Sequence, residues 1–200
     1  MRKIEDLVYY DLETTGLDAQ TNGIVQIAML FEKNGEIVDS YKSYVNCAAY
    51  DRDVAVSPKA LEINGVKLED IETFPIPFDV VFEIDIILRK HYGDRKVKLC
   101  GFNNTSFDKY FLEEFYKQAG SNYDKWFHYK QLDVFEGVKI LQYLHVLPKT
   151  FNQRLVTLLD EFGVDTAESI AENAHDAMYD VEMTRNLLYH IKGLLNDKTK

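Results

Sequence analysis

Cysteine, proline, tryptophan and positive charge are all scarce in this chain of 200 residues. It holds 2 cysteines, 4 prolines and 1 tryptophan. Cys47 and Cys100 stand among apolar or small residues and match no zinc spacing, which excludes a disulfide scaffold and a zinc module; both read as buried, reduced thiols. No apolar run approaches the roughly 18 residues that a membrane helix needs. Glu5 and Asp6 fall where a signal peptide would carry its apolar region. The expectation is a soluble, cytoplasmic protein with no membrane partner. Lysine and arginine number 23 against 33 aspartates and glutamates, a formal net charge of −10. A protein that grips a duplex by its phosphates shows a basic face. Contact with nucleic acid therefore needs local help, and bound divalent cations, which change the sign of the local field, are one such help.

What the chain has in quantity is apolar, 46% of its residues, which excludes a disordered tail. At about 150 residues per domain the length suggests a single domain over residues 1–200, with a core from about 7 to 195. Such a chain buries about 70% of its unfolded surface and needs no structural metal. It contains no internal repeat and no low-complexity stretch.

Leu7–Glu13 reads as a buried first strand and Ile24–Glu32 as a second. Lys33-Asn34-Gly35 is a hairpin turn, because Asn-Gly tolerates the positive φ of tight hairpins. Glu36–Asn46 follows as a third strand. Ser57 and Pro58 open a short helix that Asn64-Gly65 closes. Pro75 and Pro77 mark the one obvious break, and Asp79–Tyr92 is a longer helix ended by Gly93. The segment 74–96 reads as a packing helix, with a partner surface as the alternative. Val97–Asn103 is a fourth strand, Phe107–Ala119 a helix with a Phe107, Phe111, Leu112, Phe115 stripe, and His128–Asp133 a fifth strand. Helices over Val134–Leu144, Phe151–Phe162 and Asp176–Leu195 finish the chain. A meander of strands followed by alternating strand and helix indicates an α/β fold. Its five-stranded mixed sheet has three antiparallel strands first and two parallel strands after, with helices on both faces.

Three acidic patterns carry the chemistry. Asp11 and Glu13, at the end of the first strand, point to one face because strand side chains alternate. Two carboxylates beside an apolar run repel each other and are costly to desolvate, and protonation or a hard cation such as Mg²⁺ or Mn²⁺ relieves that. Asp108 stands in the first turn of a helix, where the helix dipole favours an acid in any case. His175 and Asp180 are five residues apart, about 140° net around a helix, so they converge only if His175 lies on the loop before the helix that carries Asp180. A histidine there, beside activated water, is a plausible general base. The other histidines, His91, His128, His145 and His190, read as capping or surface residues.

Together these patterns resemble the DnaQ-like 3′→5′ exonucleases of the DEDDh type, from Leu7 to about Leu195. Asp11-x-Glu13-Thr14-Thr15-Gly16-Leu17 resembles the first motif, Asn103-x-x-x-Phe107-Asp108-x-x-Phe111-Leu112 the second, and His175-x-Ala177-x-x-Asp180-x-x-x-Thr184 the third. Asp133-Val134 stands where the family often has Asp-Thr. The resemblance implies a ribonuclease H-like fold. It also implies hydrolysis of phosphodiester bonds at the 3′ end of single-stranded DNA or short RNA, releasing nucleoside 5′-monophosphates. Asp11, Glu13, Asp108 and Asp180 would hold two divalent ions, Mg²⁺ or Mn²⁺, with Asp11 bridging them, and His175 would take the proton from the attacking water. Thr14, Thr15, Leu17 and Asn103 are the implied nucleotide contacts. Phe102 departs from the pattern, since many members carry histidine before the asparagine, and the change bears on the floor of the nucleotide pocket. Two other readings stand beside the stand-alone enzyme: a proofreading or end-binding module acting through a DNA polymerase, and a degenerate member that binds ends without cutting. The sequence does not distinguish DNA from RNA, and it leaves the oligomeric state open.

Overall fold

The computed structural model describes residues 5–197 apart from 151 and 174. Its centre is a five-stranded sheet in the order β3-β2-β1-β4-β5. The strands are β1 (Leu7–Thr14), β2 (Ile24–Lys33), β3 (Glu36–Tyr44), β4 (Lys98–Gly101) and β5 (Leu132–Asp133). β1 pairs antiparallel with β2, and β2 with β3, while β1–β4 and β4–β5 are parallel. This is the expected mixed sheet. Asn34 (φ 55°) and Gly35 (φ 89°) make the β2–β3 turn, as their tolerance of left-handed backbone requires.

Period-two alternation along β1 divides the core. Val8, Tyr10 and Leu12 face one apolar cluster, and Leu7 and Tyr9 face the other. The first cluster includes buried residues of helices α1 (Pro58–Asn64), α2 (Pro77–Tyr92), α3 (Asp108–Gln118) and α4 (Tyr123–Trp126). The second includes residues of α5 (Val134–Tyr143), α6 (Leu155–Glu161), α7 (Ala167–Asn173) and α8 (Ala177–Asp197). Helices thus cover both sheet faces. Both cysteines are buried and unpaired, as expected. Among the described residues no helix is long and apolar enough to cross a membrane.

Several boundaries differ from the sequence expectation, each for a local reason. The fourth strand is only Lys98–Gly101, because the chain turns at Phe102 and Asn103 takes up left-handed backbone (φ 59°). The fifth is Leu132–Asp133, with one isolated parallel bridge between Val97 and Phe127 before it. The third stops at Tyr44, where the backbone passes into a 3₁₀ turn at Cys47–Ala49. Pro77 is the first residue of α2 rather than part of the break before it, which suits a residue with no N–H to donate. The helix expected from Phe151 begins at Leu155; residue 151 itself lies outside the described residues. α4, α7 and the 3₁₀ turn at Leu68–Thr73 were not expected from the sequence. The 74–96 segment packs α2 on the sheet through Val80, Val81, Ile84 and Leu88.

One buried charge locks α8 to the sheet. Glu32, 1% exposed at the end of β2, accepts from Arg185 Nε at 2.7 Å and from the Tyr189 hydroxyl at 3.0 Å. Arg185 also donates to the Gly35 carbonyl. Removing one partner of a buried pair strands the other charge in low dielectric, at a cost of about 3 kcal/mol. Arg185→Ala is therefore expected to lower the unfolding free energy measured by urea titration by that amount. The double change Glu32→Leu with Arg185→Leu should recover most of the loss; an Arg185→Ala protein as stable as the parent would refute the lock.

Candidate active site

The acidic residues meet at one end of the central strand. Asp11 and Glu13 extend from β1 on the face that packs against α8, with Glu13 opposite Gln26 in the β1–β2 register. Asp108 occupies the first turn of α3. Asp180 lies in the first turn of α8, and His175 precedes that helix in a turn with left-handed backbone (φ 68°). This is the loop-and-helix arrangement that convergence of His175 and Asp180 requires. Ligating atoms of Glu13, His175 and Asp180 all lie within 4.8 Å of one another, a grouping that does not include Asp11 or Asp108. All five residues line one open cleft of about 680 Å³.

Three hydrogen-bonded anchors hold these segments. The buried side chain of Gln26 accepts from the Ala177 amide at 3.0 Å, which ties the start of α8 to the strand beside Glu13. Asp176 caps the same helix by accepting from Met178 and Tyr179 amides, and it forms an ion pair with Lys42 of β3. Asp133 holds the turn leading to Asp108. Its carboxylate accepts from the Asn103 amide (3.0 Å), the Thr105 amide (3.1 Å) and the Thr105 hydroxyl (2.7 Å), and also caps α5 through Phe135 and Glu136. Gly101 allows this turn to close, because a Cβ there would lie 2.8 Å from the Asn104 side chain and 3.1 Å from the Tyr10 carbonyl oxygen. Asp133 does not line the cleft, so the Asp-Val pattern singled out in the sequence has a positioning role in the structure.

The expected nucleotide contacts are placed unequally. Asn103 lines the cleft. Leu17, 87% exposed, lines a neighbouring depression with Phe107 and Tyr110. Thr14 donates its hydroxyl to the Gly16 carbonyl. Thr15 is buried; its hydroxyl donates to the Ala55 carbonyl and accepts from the Gly23 amide, so it braces the loop inside the fold. Phe102 lines the cleft and packs edge-on against Phe135 with ring centroids 5.4 Å apart. Phe135, Gln153 and Arg154 also line it and were not singled out in the sequence, since no local pattern brings them there. His91 is engaged elsewhere, with Nε2 2.8 Å from Asp39, and His128 Nδ1 accepts from the Lys130 amide.

Electrostatically the cleft is frustrated. Among the described residues no lysine or arginine pairs with Asp11, Glu13, Asp108 or Asp180. Burial and then the neighbouring carboxylates of Asp180, Asp108 and Asp176 push Glu13 up to about 8. Burial raises Asp108 to about 7, against hydrogen bonds from its own and the Leu12 amide that pull it down. Burial lifts Asp180 to about 6, opposed by a bond from the His175 amide. Asp11 is held well above the ordinary carboxylate range by burial, then by Asp108, Asp180 and Glu13. Closely set carboxylate oxygens without a protein cation form a donor set that fits hard divalent ions of the Mg²⁺ or Mn²⁺ kind.

A native carboxyl whose affinity for protons exceeds that of the unfolded chain stabilises the fold at low pH and loses that contribution as pH rises through its folded value. The protein stripped of divalent ions is thus expected to lose melting temperature from about pH 4.5 up to about 8. Mn²⁺ should raise the melting temperature more at pH 8 than at pH 5. Scanning calorimetry with and without chelator tests this, and equal metal effects at both pH values would contradict it.

Comparison with known proteins agrees with this geometry. The exonuclease family model, RNase_T, matches residues 8–188. The chain is 28% identical over 190 residues to the PolC-type DNA polymerase III of Listeria innocua, which covers 94% of this chain and 11% of the polymerase. It is 22% identical over 197 residues to ribonuclease T of Actinobacillus pleuropneumoniae, covering 95% of this chain and 84% of that protein. Escherichia coli Exonuclease I, solved in complex with a dT13 oligonucleotide, superposes with a TM-score of 0.75 at 18% identity, over 98% of this chain and 43% of the other. The chain therefore spans about a tenth of the polymerase it matches and under half of Exonuclease I. The shared fold is the ribonuclease H-like fold implied by the motifs. With the match running from β1 into α8 and through every acidic segment of the cleft, the chain belongs to the exonuclease family.

Proposed function

We propose that the chain removes nucleotides one at a time from the 3′ end of a single-stranded nucleic acid, releasing nucleoside 5′-monophosphates. The observation that carries this reading is the convergence of Asp11, Glu13, Asp108, Asp180 and His175 on one cleft where, among the described residues, no lysine or arginine pairs with the acids. Two divalent ions, when bound, supply the charge neutralisation and the lowered water pKa that phosphodiester hydrolysis needs. Asp11, Glu13, Asp108 and Asp180 are the residues that would hold them. The exposed imidazole of His175, on its turn at the cleft rim, accepts the proton of the attacking water at a ring nitrogen. The water oxygen bonds to phosphorus, the bond from phosphorus to the 3′ oxygen breaks, and that oxygen gains a proton to become the new 3′ hydroxyl. Asn103, which lines the cleft, and Leu17, which lines the depression beside it, would contact the terminal nucleotide.

DNA is the favoured substrate because the relatives include a DNA polymerase and a structure bound to an oligodeoxynucleotide. Ribonuclease T among the relatives keeps short RNA as the alternative. The polymerase relatives also favour a second reading, in which the chain edits 3′ ends alongside a polymerase; activity that rises sharply on adding one would support it.

Parallel digestion of 5′-labelled single-stranded DNA, duplex DNA and short RNA tests the proposal. With Mg²⁺ or Mn²⁺ the single strand should shorten into a ladder. Asp11→Ala and Asp180→Ala should abolish the ladder while the circular dichroism spectrum is unchanged. His175→Ala should lower kcat by on the order of a hundredfold or more, as loss of a general base does. No ladder on any of the three substrates with either metal refutes the reading.

A further inference from the structure

Arg154 is the one lysine or arginine among the described residues that line the catalytic cleft. It precedes α6, is exposed, and has no side-chain capping role; its backbone amide is held by the Asn152 side chain at 2.9 Å. Among the described residues its guanidinium forms no ion pair, so it comes no nearer than 4.0 Å to any carboxylate of the acidic cluster. A cation that shares a cleft with four acids and pairs with none is left available to an anion from outside. Guanidinium is suited to phosphate, whose oxygens it can engage with two donors at once.

On the reading of function above, we propose that Arg154 grips the strand phosphate on the 5′ side of the bond being cut. The scissile phosphate belongs at the acidic cluster, and Arg154 stands apart from that cluster. Beyond the scissile bond lies only the terminal nucleoside, which carries no further phosphate. Any second phosphate within the cleft is therefore upstream. Arg154 is accordingly a substrate-binding residue that secures the remaining strand, and in a chain of net charge −10 it offsets the repulsion that the strand meets on approach.

The test compares two substrates with Mn²⁺. One is a single-stranded oligonucleotide. The other is a chromogenic aryl ester of a nucleoside 5′-monophosphate, which has the scissile phosphate and no other. On the oligonucleotide, Arg154→Ala should raise KM about tenfold with kcat nearly unchanged, the size expected for one lost charge-assisted contact. The slope of log kcat/KM against log salt should become shallower by roughly 0.7, the value for one phosphate contact on a single strand. Hydrolysis of the aryl ester should stay within about twofold of the parent. Arg154→Lys should restore most of the salt slope, and Arg154→Gln provides a second uncharged variant if the alanine protein fails to fold. Unchanged KM and salt slope on the oligonucleotide would overturn the proposal, as would an equal loss on the aryl ester, which would put Arg154 at the scissile phosphate. A parent protein inert on both substrates would instead overturn the functional reading on which the proposal rests.

Discussion

Repulsion among Asp11, Glu13, Asp108 and Asp180 is the constraint around which the structure is arranged. Each group is driven above the ordinary carboxylate range by burial, and Asp11 and Glu13 also by one another's neighbours. Left to themselves such groups would separate into water. They stay together because the elements that carry them are fixed elsewhere. β1 is central in the sheet, α3 is buried through Phe111, Leu112 and Phe115, and α8 is fastened through Gln26, Glu32 and the apolar face that includes Val181 and Leu187.

The same sheet face shows that the lack of a cation paired with the acidic cluster is local. Glu32 and Glu13 are both buried glutamates facing α8. Glu32 has Arg185 and Tyr189 as partners, whereas Glu13 has other acids and His175 close by and, among the described residues, no lysine or arginine paired with it. A buried carboxylate that needs only stability is given a donor. A set that must hold a hard ion is given more oxygens.

The sheet, its strand directions and the five cleft residues were legible in the sequence, because each leaves a local trace. A mainly apolar run marks β1, Asn34-Gly35 marks the hairpin, and the three acidic patterns sit at the end of a strand or the start of a helix. The residues around them were not. Gln26 reads as an ordinary polar residue in a strand, and only the fold reveals that it meets the Ala177 amide 151 positions away. Thr15 lies inside a recognisable motif, yet its hydroxyl braces the loop, a fact set by its contact with Ala55. Arg154 and Phe135 reach the cleft through tertiary packing alone. β4 was overestimated because the apolar run from Val97 continues past Gly101, where the chain turns away, and β5 because its pairing with β4 is confined to Leu132–Asp133 after one isolated bridge at Phe127.

The position of α8 in the chain has a consequence for biosynthesis. Asp11 and Glu13 leave the ribosome well before His175, in the turn ahead of α8, and Asp180, in its first turn. A nascent polypeptide that ends before Ala177 lacks the element that closes the acidic cluster, and it also lacks the Arg185 that neutralises Glu32. Assembly of the cleft is thereby deferred until α8 has been made, so a product cut short before it lacks a complete acidic cluster.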